Sequence, residues 1–135
     1  MGRRLLLDTG VIIAIERGRL DPAAVFQPDD SVALSVFSTV ELRVGLFLAK
    51  PEYQPRLAAF LDGVFEVVET LLYDQEVSRH HTRLLAWAAA NGRTKSAMDL
   101  LIAATAAATG RTLVTTDKKA QFGELPGVEA ELVAV

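Results

Sequence analysis

The sequence predicts an α/β fold in which a mostly parallel sheet of about five strands carries helices on both faces. Two features of the 135-residue chain indicate this class. Short apolar runs, typical of strands buried on both sides, alternate with longer segments whose apolar residues have helical spacing. Strands joined through helices form crossover units in which the strands lie parallel. Their carboxyl ends then share one edge of the sheet, where such folds bind ligands.

The first strand is predicted at residues 5–7, a leucine run too short for a helix and without polar alternation. Asp8 stands at the carboxyl end of this strand. Residues 11–17 have helical spacing and end at Gly18, which makes Thr9 and Gly10 a tight turn between strand and helix. A carboxylate is therefore expected at the ligand-binding edge of the sheet.

The next stretch, residues 20–30, contains two prolines and is predicted to be irregular with one helical turn. A second buried strand follows at residues 32–34. Ser38 then begins a helix that ends near Pro51. The apolar positions of this helix are Val40, Val44, Phe47 and Leu48. We expect Phe47 to pack in the core, as aromatic residues at helical spacing usually do.

The rest of the chain continues the alternation, and glycines follow its helices because glycine readily adopts the left-handed conformation that ends a helix. We predict a helix from 55 to 63, a strand at 64–68, helices at 74–90 and 96–109, a strand at 112–115 and an edge strand at 128–133.

Composition predicts a single, soluble, cytoplasmic domain over residues 1–135. Half of the residues are apolar, which is enough for a core. Cysteine is absent, which excludes disulfides and thiolate metal sites. Asp8 interrupts the apolar amino-terminal stretch and argues against a signal peptide, and no apolar run reaches the roughly 20 residues of a membrane span. Because the formal net charge is −3, a polyanionic partner must meet a local basic patch.

Four carboxylates, Asp8, Glu41, Asp99 and Asp117, fall at predicted strand ends or in first turns of helices. Asp99 shares a helical face with Ile102 and Ala106, so it is expected to point inward. If the fold gathers the four acids in one crevice, their repulsion requires a cation, and oxygen ligands select Mg²⁺ or Mn²⁺. Such a cation can activate water for phosphodiester hydrolysis.

Each of these acids also fits a purely structural role. The pairs Ser38/Glu41 and Ser96/Asp99 both match a capping box, in which the acid binds the backbone of the serine. Asp8 and Asp117 can cap the segments that follow them. Capping predicts carboxylates that are scattered over the molecule, whereas a metal site predicts carboxylates that converge.

The ordered motifs of the chain are similar to those of the PIN-domain family, and most of all to VapC-type toxin ribonucleases of toxin–antitoxin pairs. The matching segments are LLDTGVIIA at 6–14, STVELRVG at 38–45, DLLIAATA at 99–106 and LVTTD at 113–117, followed by Phe122 and LPGV at 125–128. They cover nearly the whole chain in the family's order. The chain departs from the family at Ala120-Gln121, where members often carry an acid before the phenylalanine.

The resemblance implies a three-layer α/β/α sandwich and a toxin that cleaves RNA as a divalent-metal-dependent endoribonuclease. It implies that Asp8, Glu41, Asp99 and Asp117 hold Mg²⁺ or Mn²⁺ and that a metal-activated water attacks the phosphodiester. It also implies two partners, the RNA substrate and a cognate antitoxin protein. A homodimer is a further expectation, since the alanine-rich helices suit close helix packing either between copies or within one core.

Several side chains beside the matched acids are candidates for substrate binding. The hydroxyls of Thr9 and Thr116 can orient a ligand or a water, although a turn hydrogen bond explains Thr9 equally well. Arg43 is the first candidate for a phosphate contact, and Lys118 is another. Arg93 and Lys95 precede the Asp99 helix and are further candidates. Solvated surface is the alternative for each of these cations.

Other classes of protein share parts of this pattern. A receiver-like signalling domain is also doubly wound and acidic at its strand ends, but the third strand here does not end in an aspartate. A PIN-like module that binds RNA or protein without cleaving is a second alternative. An aspartic protease needs a second Asp-Thr-Gly copy, and a haloacid-dehalogenase-type phosphatase needs an acid at position 10, which is Gly10.

Overall fold

The computed structural model describes residues 2–93 and 96–135 and confirms the predicted α/β class. In chain order its elements are β1 (Arg4–Leu7), α1 (Thr9–Glu16), α2 (Pro22–Val25), β2 (Ser31–Ser35), α3 (Val36–Leu48), α4 (Gln54–Val67), β3 (Glu69–Leu71), α5 (Gln75–Ala90), α6 (Ala97–Thr109), β4 (Thr112–Thr115) and β5 (Ala130–Leu132). A short 3-10 helix covers Phe122–Glu124. Within the described ranges, no helix is long and apolar enough to cross a membrane.

The sheet has the strand order β3-β2-β1-β4-β5, and every neighbouring pair is parallel. The central strand β1 pairs on both sides, with Leu6 opposite Ala33 of β2 and Leu113 of β4. The predicted position of the fifth strand at an edge is confirmed. Because the chain winds outward in both directions from β1, the switch point of the sheet lies between β1 and β4.

Successive leucines of β1 point to opposite faces and enter two separate cores, as expected for a strand covered on both sides. Leu6 belongs to the core formed with α5 and α6, whereas Leu5 and Leu7 belong to the core formed with α1, α3 and α4. The predicted three-layer arrangement is therefore confirmed. The alanine-rich helix α6 is buried from Leu100 to Ala106, so its alanines serve the core of this chain.

Helix α3 begins earlier than predicted, and this corrects the expected capping box at Ser38 and Glu41. The hydroxyl of Ser35 accepts a hydrogen bond from the amide of Phe37 at 3.2 Å and is the cap of the helix. Ser38 is instead fully buried inside the helix. Glu41 consequently lies more than one turn from the helix start, where its carboxylate has no orphan amide to cap.

The apolar positions predicted for α3 form a face, but that face does not enter the core. The exposed fractions of Val40, Val44, Phe47 and Leu48 are 52%, 50%, 79% and 81%. The expected core packing of Phe47 is thus wrong. The buried residues of α3 are Ser38, Thr39 and Leu42, which pack beneath it against the sheet. Helical spacing thus predicted that these side chains share one face of α3, but it could not predict whether that face is buried or exposed.

Residues 64–68 are not the third strand, as predicted, but include the last turns of α4. The helix continues through Gly63 to Val67, and the amide of Val68 still bonds the carbonyl of Val64 at 2.9 Å. The cause is that the apolar spacing from Leu57 onward remains helical past the glycine, which does not adopt a positive φ. Strand β3 follows at Glu69–Leu71.

Candidate metal centre

Asp8 lies at the carboxyl end of the central strand, at the switch point of the sheet. Its own amide bonds the carbonyl of Val114 at 2.9 Å, which continues the β1–β4 ladder. One carboxylate oxygen accepts from the amide of Thr9 at 3.0 Å and caps α1, so this helix begins two residues before its predicted start. The other oxygen accepts from the hydroxyl of Thr115 at 2.8 Å. Two adjacent strands thus fix the orientation of this carboxylate.

Glu41 is brought to the same place from α3 and is held there by Thr9. The Thr9 hydroxyl donates to a carboxylate oxygen of Glu41 at 3.1 Å, while the Thr9 amide bonds Asp8. Thr9 is buried, so these bonds form away from bulk solvent. We expected the Thr9 hydroxyl to orient a ligand or a water, and its partner in this structure is the carboxylate of Glu41.

Asp99 stands in the first turn of α6, where Ser96 caps the helix. The Ser96 hydroxyl accepts from the amide of Asp99 at 3.0 Å, which is half of the capping box the sequence suggested. The other half, a bond from the Ser96 amide to the Asp99 carboxylate, is absent from the described residues. The Asp99 carboxylate is therefore not used as a cap of this helix and is half-buried beside the sheet edge.

The charges of Glu41 and Asp99 both act on the carboxyl of Asp8. Burial raises the pKa of the Asp8 carboxyl above its ordinary value, and the hydrogen bonds from Thr115 and Thr9 oppose that rise. The negative charges of Asp99 and Glu41 raise the pKa of Asp8 further, because they make a negative charge on the Asp8 carboxyl less favourable. In the described part of the chain, no lysine or arginine forms an ion pair with these three acids.

Asp117 uses its side chain for a turn. One carboxylate oxygen accepts from the amides of Lys119 at 2.9 Å and Ala120 at 3.2 Å, as the capping interpretation predicts. The amide of Asp117 in turn donates to the Thr115 hydroxyl at 3.0 Å. Asp117 is exposed and is connected to Asp8 only through that hydroxyl, so it stands at the rim of the crevice.

The donor chemistry of this crevice fits a hard divalent cation. The converging groups offer carboxylate and hydroxyl oxygens and neither imidazole nor thiolate, which is the ligand set that Mg²⁺ and Mn²⁺ prefer. In ranges 2–93 and 96–135, no three acidic or histidine side chains stand close enough to enclose an ion as they lie. The negative charges of Glu41 and Asp99 thus act on Asp8, but among the described residues the three carboxylates do not surround a common point closely enough to enclose an ion.

Thr115 is the residue of the site that the sequence analysis missed, because it selected the adjacent Thr116. The signal was available in the strand register, since Leu7 pairs with Val114 and the next residues, Asp8 and Thr115, must then be neighbours. Thr116 has a different role. Its hydroxyl would lie 3.0 Å from a Cβ built on Gly10, so a glycine permits the close approach of these two turns.

The predicted phosphate-binding cations do not gather at the acids. The guanidinium carbon of Arg43 lies 4.6 Å from the ring centroid of Phe65, at the contact between α3 and α4. Residues two apart on a helix point about 200° apart, which directs Arg43 away from Glu41. Arg93 pairs with Glu124 at 2.6 Å. Lys118 is exposed beside Asp117, and Lys95 lies outside the described residues.

An apolar groove of about 630 Å³ opens beside Glu41 between α1, α3 and α4. Its floor and walls are mostly aliphatic or aromatic and include Ile12, Ile13, Leu42, Leu57, Phe60 and Leu61. Charged residues, among them Glu16 and Arg17, stand along its sides. The acidic crevice is therefore continuous with a concave apolar surface.

Comparison with known proteins gives three similarities that cover most of the chain. The PIN domain matches residues 5–127 of this chain. Ribonuclease VapC5 of Mycobacterium tuberculosis is 38% identical over 133 residues, which are 96% of this chain and 94% of that protein. The structure of VapBC-5, a member of the VapBC family of toxin–antitoxin systems from the same organism, aligns with a TM-score of 0.76 and 35% identity over 98% of both chains.

A more distant structure shares the fold. VapBC2 from Rickettsia felis, solved with a DNA fragment from its promoter, has a TM-score of 0.85 and 22% identity, and the alignment covers 96% of this chain and 98% of that one. The five-stranded parallel sheet and its helices are thus common to chains of widely different sequence.

Proposed function

The chain belongs to the PIN-domain family, and on that premise we propose that it is a divalent-metal-dependent endoribonuclease and the toxin of a toxin–antitoxin pair. Two similarities support the proposal: the relative at 38% identity is named a ribonuclease, and the solved structure at 35% identity is a toxin–antitoxin system. Both alignments cover nearly the whole of each chain, so the comparison applies to the complete fold and not to a fragment.

One observation carries the chemical part of the proposal, namely that Thr9 donates its hydroxyl to the carboxylate of Glu41 at 3.1 Å and its amide to the carboxylate of Asp8 at 3.0 Å, which holds two acids at one place. Thr9 holds Asp8 and Glu41 together at the switch point and the charge of Asp99 acts on Asp8, although none of these acids has a cationic partner among the described residues. Helix capping accounts for one oxygen of Asp8 only. A divalent cation would neutralise the mutual repulsion of these carboxylates. Its binding gives a physical reason for acids that lack cationic partners to act on one another.

In this proposal Asp8 and Asp99 hold Mg²⁺ or Mn²⁺ directly, and Glu41 and Asp117 contribute directly or through water. When bound, the cation supplies charge stabilisation at the phosphate and makes water a better nucleophile near neutral pH. The chain's own part is positional. Thr115 and Thr9 hold the Asp8 carboxylate by two hydrogen bonds, and the Thr9 hydroxyl keeps Glu41 turned toward it.

The direct test is cleavage of single-stranded RNA by purified protein in Mn²⁺. We expect cleavage that EDTA abolishes and that Asp8→Asn and Asp99→Asn each reduce by at least a hundredfold, since each variant removes a charge from the metal site. Glu129→Gln, on the exposed segment before β5, is the matched control and retains activity. RNA that is bound but not cut by the wild-type protein identifies the non-cleaving PIN-like module instead.

The proposed antitoxin covers the acidic crevice and the apolar groove beside it. We propose this contact because the groove is lined mostly by aliphatic and aromatic side chains, which apolar residues of a partner can bury. Expression of the toxin alone is expected to arrest growth of the host cell, and co-expression of the neighbouring small gene to restore it. Harmless accumulation of folded wild-type protein in the cytoplasm, where we place it, contradicts the toxin assignment.

The proposed assembly is a homodimer. The row formed by Val40, Val44 and Phe47 on the outside of α3 supports it, because large apolar side chains on one helix face usually mark a contact. Sedimentation equilibrium of the wild-type protein and of Phe47→Glu tests this part separately. A dimer that the substitution dissociates is expected, and a wild-type monomer contradicts it.

A further inference from the structure

A second concave surface adjoins the apolar groove and differs from it in charge. This arginine pocket, of about 560 Å³, is lined by Arg17, Arg19, Arg56, Tyr53, Phe60 and Glu16. Four of its residues, Glu16, Arg17, Tyr53 and Phe60, also line the groove that reaches Glu41. A continuous depression therefore connects the acidic crevice with the arginine pocket.

The backbone at the end of α1 fixes two of the arginines on either side of Gly18. The amide of Arg19 donates to the carbonyl of Ala14 at 2.8 Å, and the amide of Gly18 donates to the carbonyl of Ile15 at 3.1 Å. These are the two bonds of a Schellman turn, which needs a residue in the left-handed conformation, and Gly18 has φ of 71°. Arg17 and Arg19 are thus displayed by a rigid turn and not by a flexible loop.

Arg56 reaches the same pocket from the first turn of α4. Its guanidinium carbon lies 5.1 Å from the ring centroid of Tyr53, which limits the positions the side chain samples. The amino end of α4 adds partial positive charge nearby. A guanidinium that is already ordered loses less entropy when it binds an anion.

The three arginines of the pocket lie together without an acidic partner within ion-pair distance among the described residues. Four arginines elsewhere each have a carboxylate oxygen within 3.3 Å, and these are Arg3, Arg79, Arg93 and Arg111. In the described ranges no such partner exists for Arg17, Arg19 or Arg56. In a protein of formal net charge −3, this pocket concentrates positive charge that its own carboxylates do not neutralise.

We propose that the arginine pocket binds phosphate groups of the single-stranded RNA whose scissile bond lies in the acidic crevice, an inference that rests on the proposed function. Helix α1 has eight residues, so about 12 Å of helix separates Asp8 from Arg17, a distance that a few nucleotides span. Arginine is well suited to phosphate because its planar fork bonds two oxygens. The apolar groove between the two sites offers a surface for unstacked bases.

The continuity of the arginine pocket with the proposed cleavage site favours RNA over an acidic peptide as the ligand. Three carboxylates repel an approaching polyanion, so the substrate needs an anchor of positive charge outside the crevice. Of the cations that the sequence suggested for this role, Arg93 is paired with Glu124, and Arg43 lies against Phe65 on the side of α3 that faces away from Glu41. The arginine pocket supplies the missing anchor on the same continuous surface.

The test measures binding of a fluorescein-labelled 12-nucleotide RNA of mixed sequence to Asp8→Asn protein, in which cleavage is stopped. Arg17, Arg19 and Arg56 are changed together to Gln. The control changes Arg4, Arg79 and Arg83 to Gln, which alters net charge equally but leaves the pocket intact. Kd is measured from 50 to 200 mM salt, and circular dichroism verifies that each variant is folded.

We expect the pocket variant to lose about two units of the slope of log Kd against log salt, since each phosphate contact on a single strand contributes roughly 0.7. Over a fourfold change in salt this is roughly a twentyfold smaller change in Kd. The control keeps the wild-type slope. With Asp8 restored, the pocket variant raises KM for RNA cleavage and leaves kcat within about twofold.

A pocket variant with the control's salt slope overturns the inference while RNA cleavage by the wild-type protein still supports the proposed function. Unchanged RNA binding with lost antitoxin binding also overturns it and assigns the pocket to an acidic segment of the partner. A wild-type protein that neither binds nor cleaves RNA overturns the proposed function and this inference together.

Discussion

The hydroxyl of Thr115 donates to the carboxylate of Asp8 at 2.8 Å, so the end of β4 fixes the acid at the end of β1. Both residues lie at the switch point of the sheet, where a doubly wound fold opens its ligand crevice. The same hydroxyl accepts from the amide of Asp117 at 3.0 Å. One threonine therefore connects an inner acid of the crevice with the acid at its rim.

Thr115→Val should impair both the site and the fold, because the substituted side chain keeps the shape but neither donates nor accepts. We expect an activity loss of about tenfold and a stability loss of about 1.5–3 kcal/mol, the usual contribution of a hydrogen bond to a charged group. Thr115→Ser retains the hydroxyl and should recover most of the activity. Single-turnover kinetics and urea denaturation measure the two effects. Equal activity of the valine and serine variants contradicts the positioning role.

Asp99→Asn should leave the metal-free protein as stable as the wild type or slightly more so, because it relieves repulsion with Asp8. The Ser96 cap depends on the backbone amide of residue 99, which asparagine keeps. Urea denaturation in EDTA measures the change. A stability loss above about 1 kcal/mol would mean that helix capping is the main role of Asp99.

The same variant should lower the pKa of Asp8, since the Asp99 charge is one cause of its rise. Carbon-13 NMR titration of the metal-free protein follows the Asp8 carboxyl directly. Because the folded pKa is raised, ionisation of Asp8 weakens the metal-free fold as pH rises through that pKa, and the difference between wild type and Asp8→Asn should grow over that interval. An Asp8 pKa that does not respond to Asp99→Asn places the two carboxylates too far apart to share a cation.

Asp30 should stabilise the fold at neutral pH and lose this effect in acid. Its hydrogen bonds and ion pair with Arg3, at 2.6 Å, lower its pKa from 3.8 to about 2. Because the pKa of Asp30 is lower in the folded than in the unfolded protein, its contribution to the free energy of unfolding is complete above pH 3.8 and disappears as the pH falls toward 2. Asp30→Asn is therefore expected to be less stable than the wild type at pH 7, with a difference that shrinks between pH 4 and 2. Thermal melts across this range measure it, and a constant difference argues against the ion pair.

Ser35 and Ser38 give a matched pair for the start of α3. Ser35→Ala removes the helix cap and should cost about 1 kcal/mol. Ser38→Ala removes a buried hydroxyl that has no hydrogen-bond partner in the described residues and should be neutral or stabilising by about 1 kcal/mol. Denaturant unfolding of both variants measures the contrast. The reverse order of stability would restore the capping box that the sequence suggested.

The sequence was sufficient for four of the five strands and for the position of Asp8, because both depend on local pattern. A leucine run that stops at Asp8 predicts a buried strand with a carboxylate at its end, and parallel topology brings such ends to one edge. The helix starting after Ser96 was predicted within one residue. The roles of the four acids as metal ligands stay predictions.

The predictions and the structure differ at positions where two residues or two helix faces carry equivalent local signals and tertiary packing selects one of them. Ser35 and Ser38 are both good caps, and the end of β2 selects the first. The stripe through Val44 and Phe47 has ideal helical spacing, but the sheet packs against the opposite side of α3. Thr115 could be distinguished from Thr116 only through the register of β4 against β1. Spacing along one element cannot supply that information.

Titration of Mn²⁺ into the protein, followed by electron paramagnetic resonance, tests the convergence of the carboxylates most directly. We expect the wild-type protein to bind Mn²⁺ and the Asp8→Asn and Asp99→Asn variants each to bind it at least about tenfold more weakly, as loss of a metal-site group usually does. Equal Mn²⁺ affinity in the wild type and both variants contradicts a shared metal site and leaves these acids with structural roles alone.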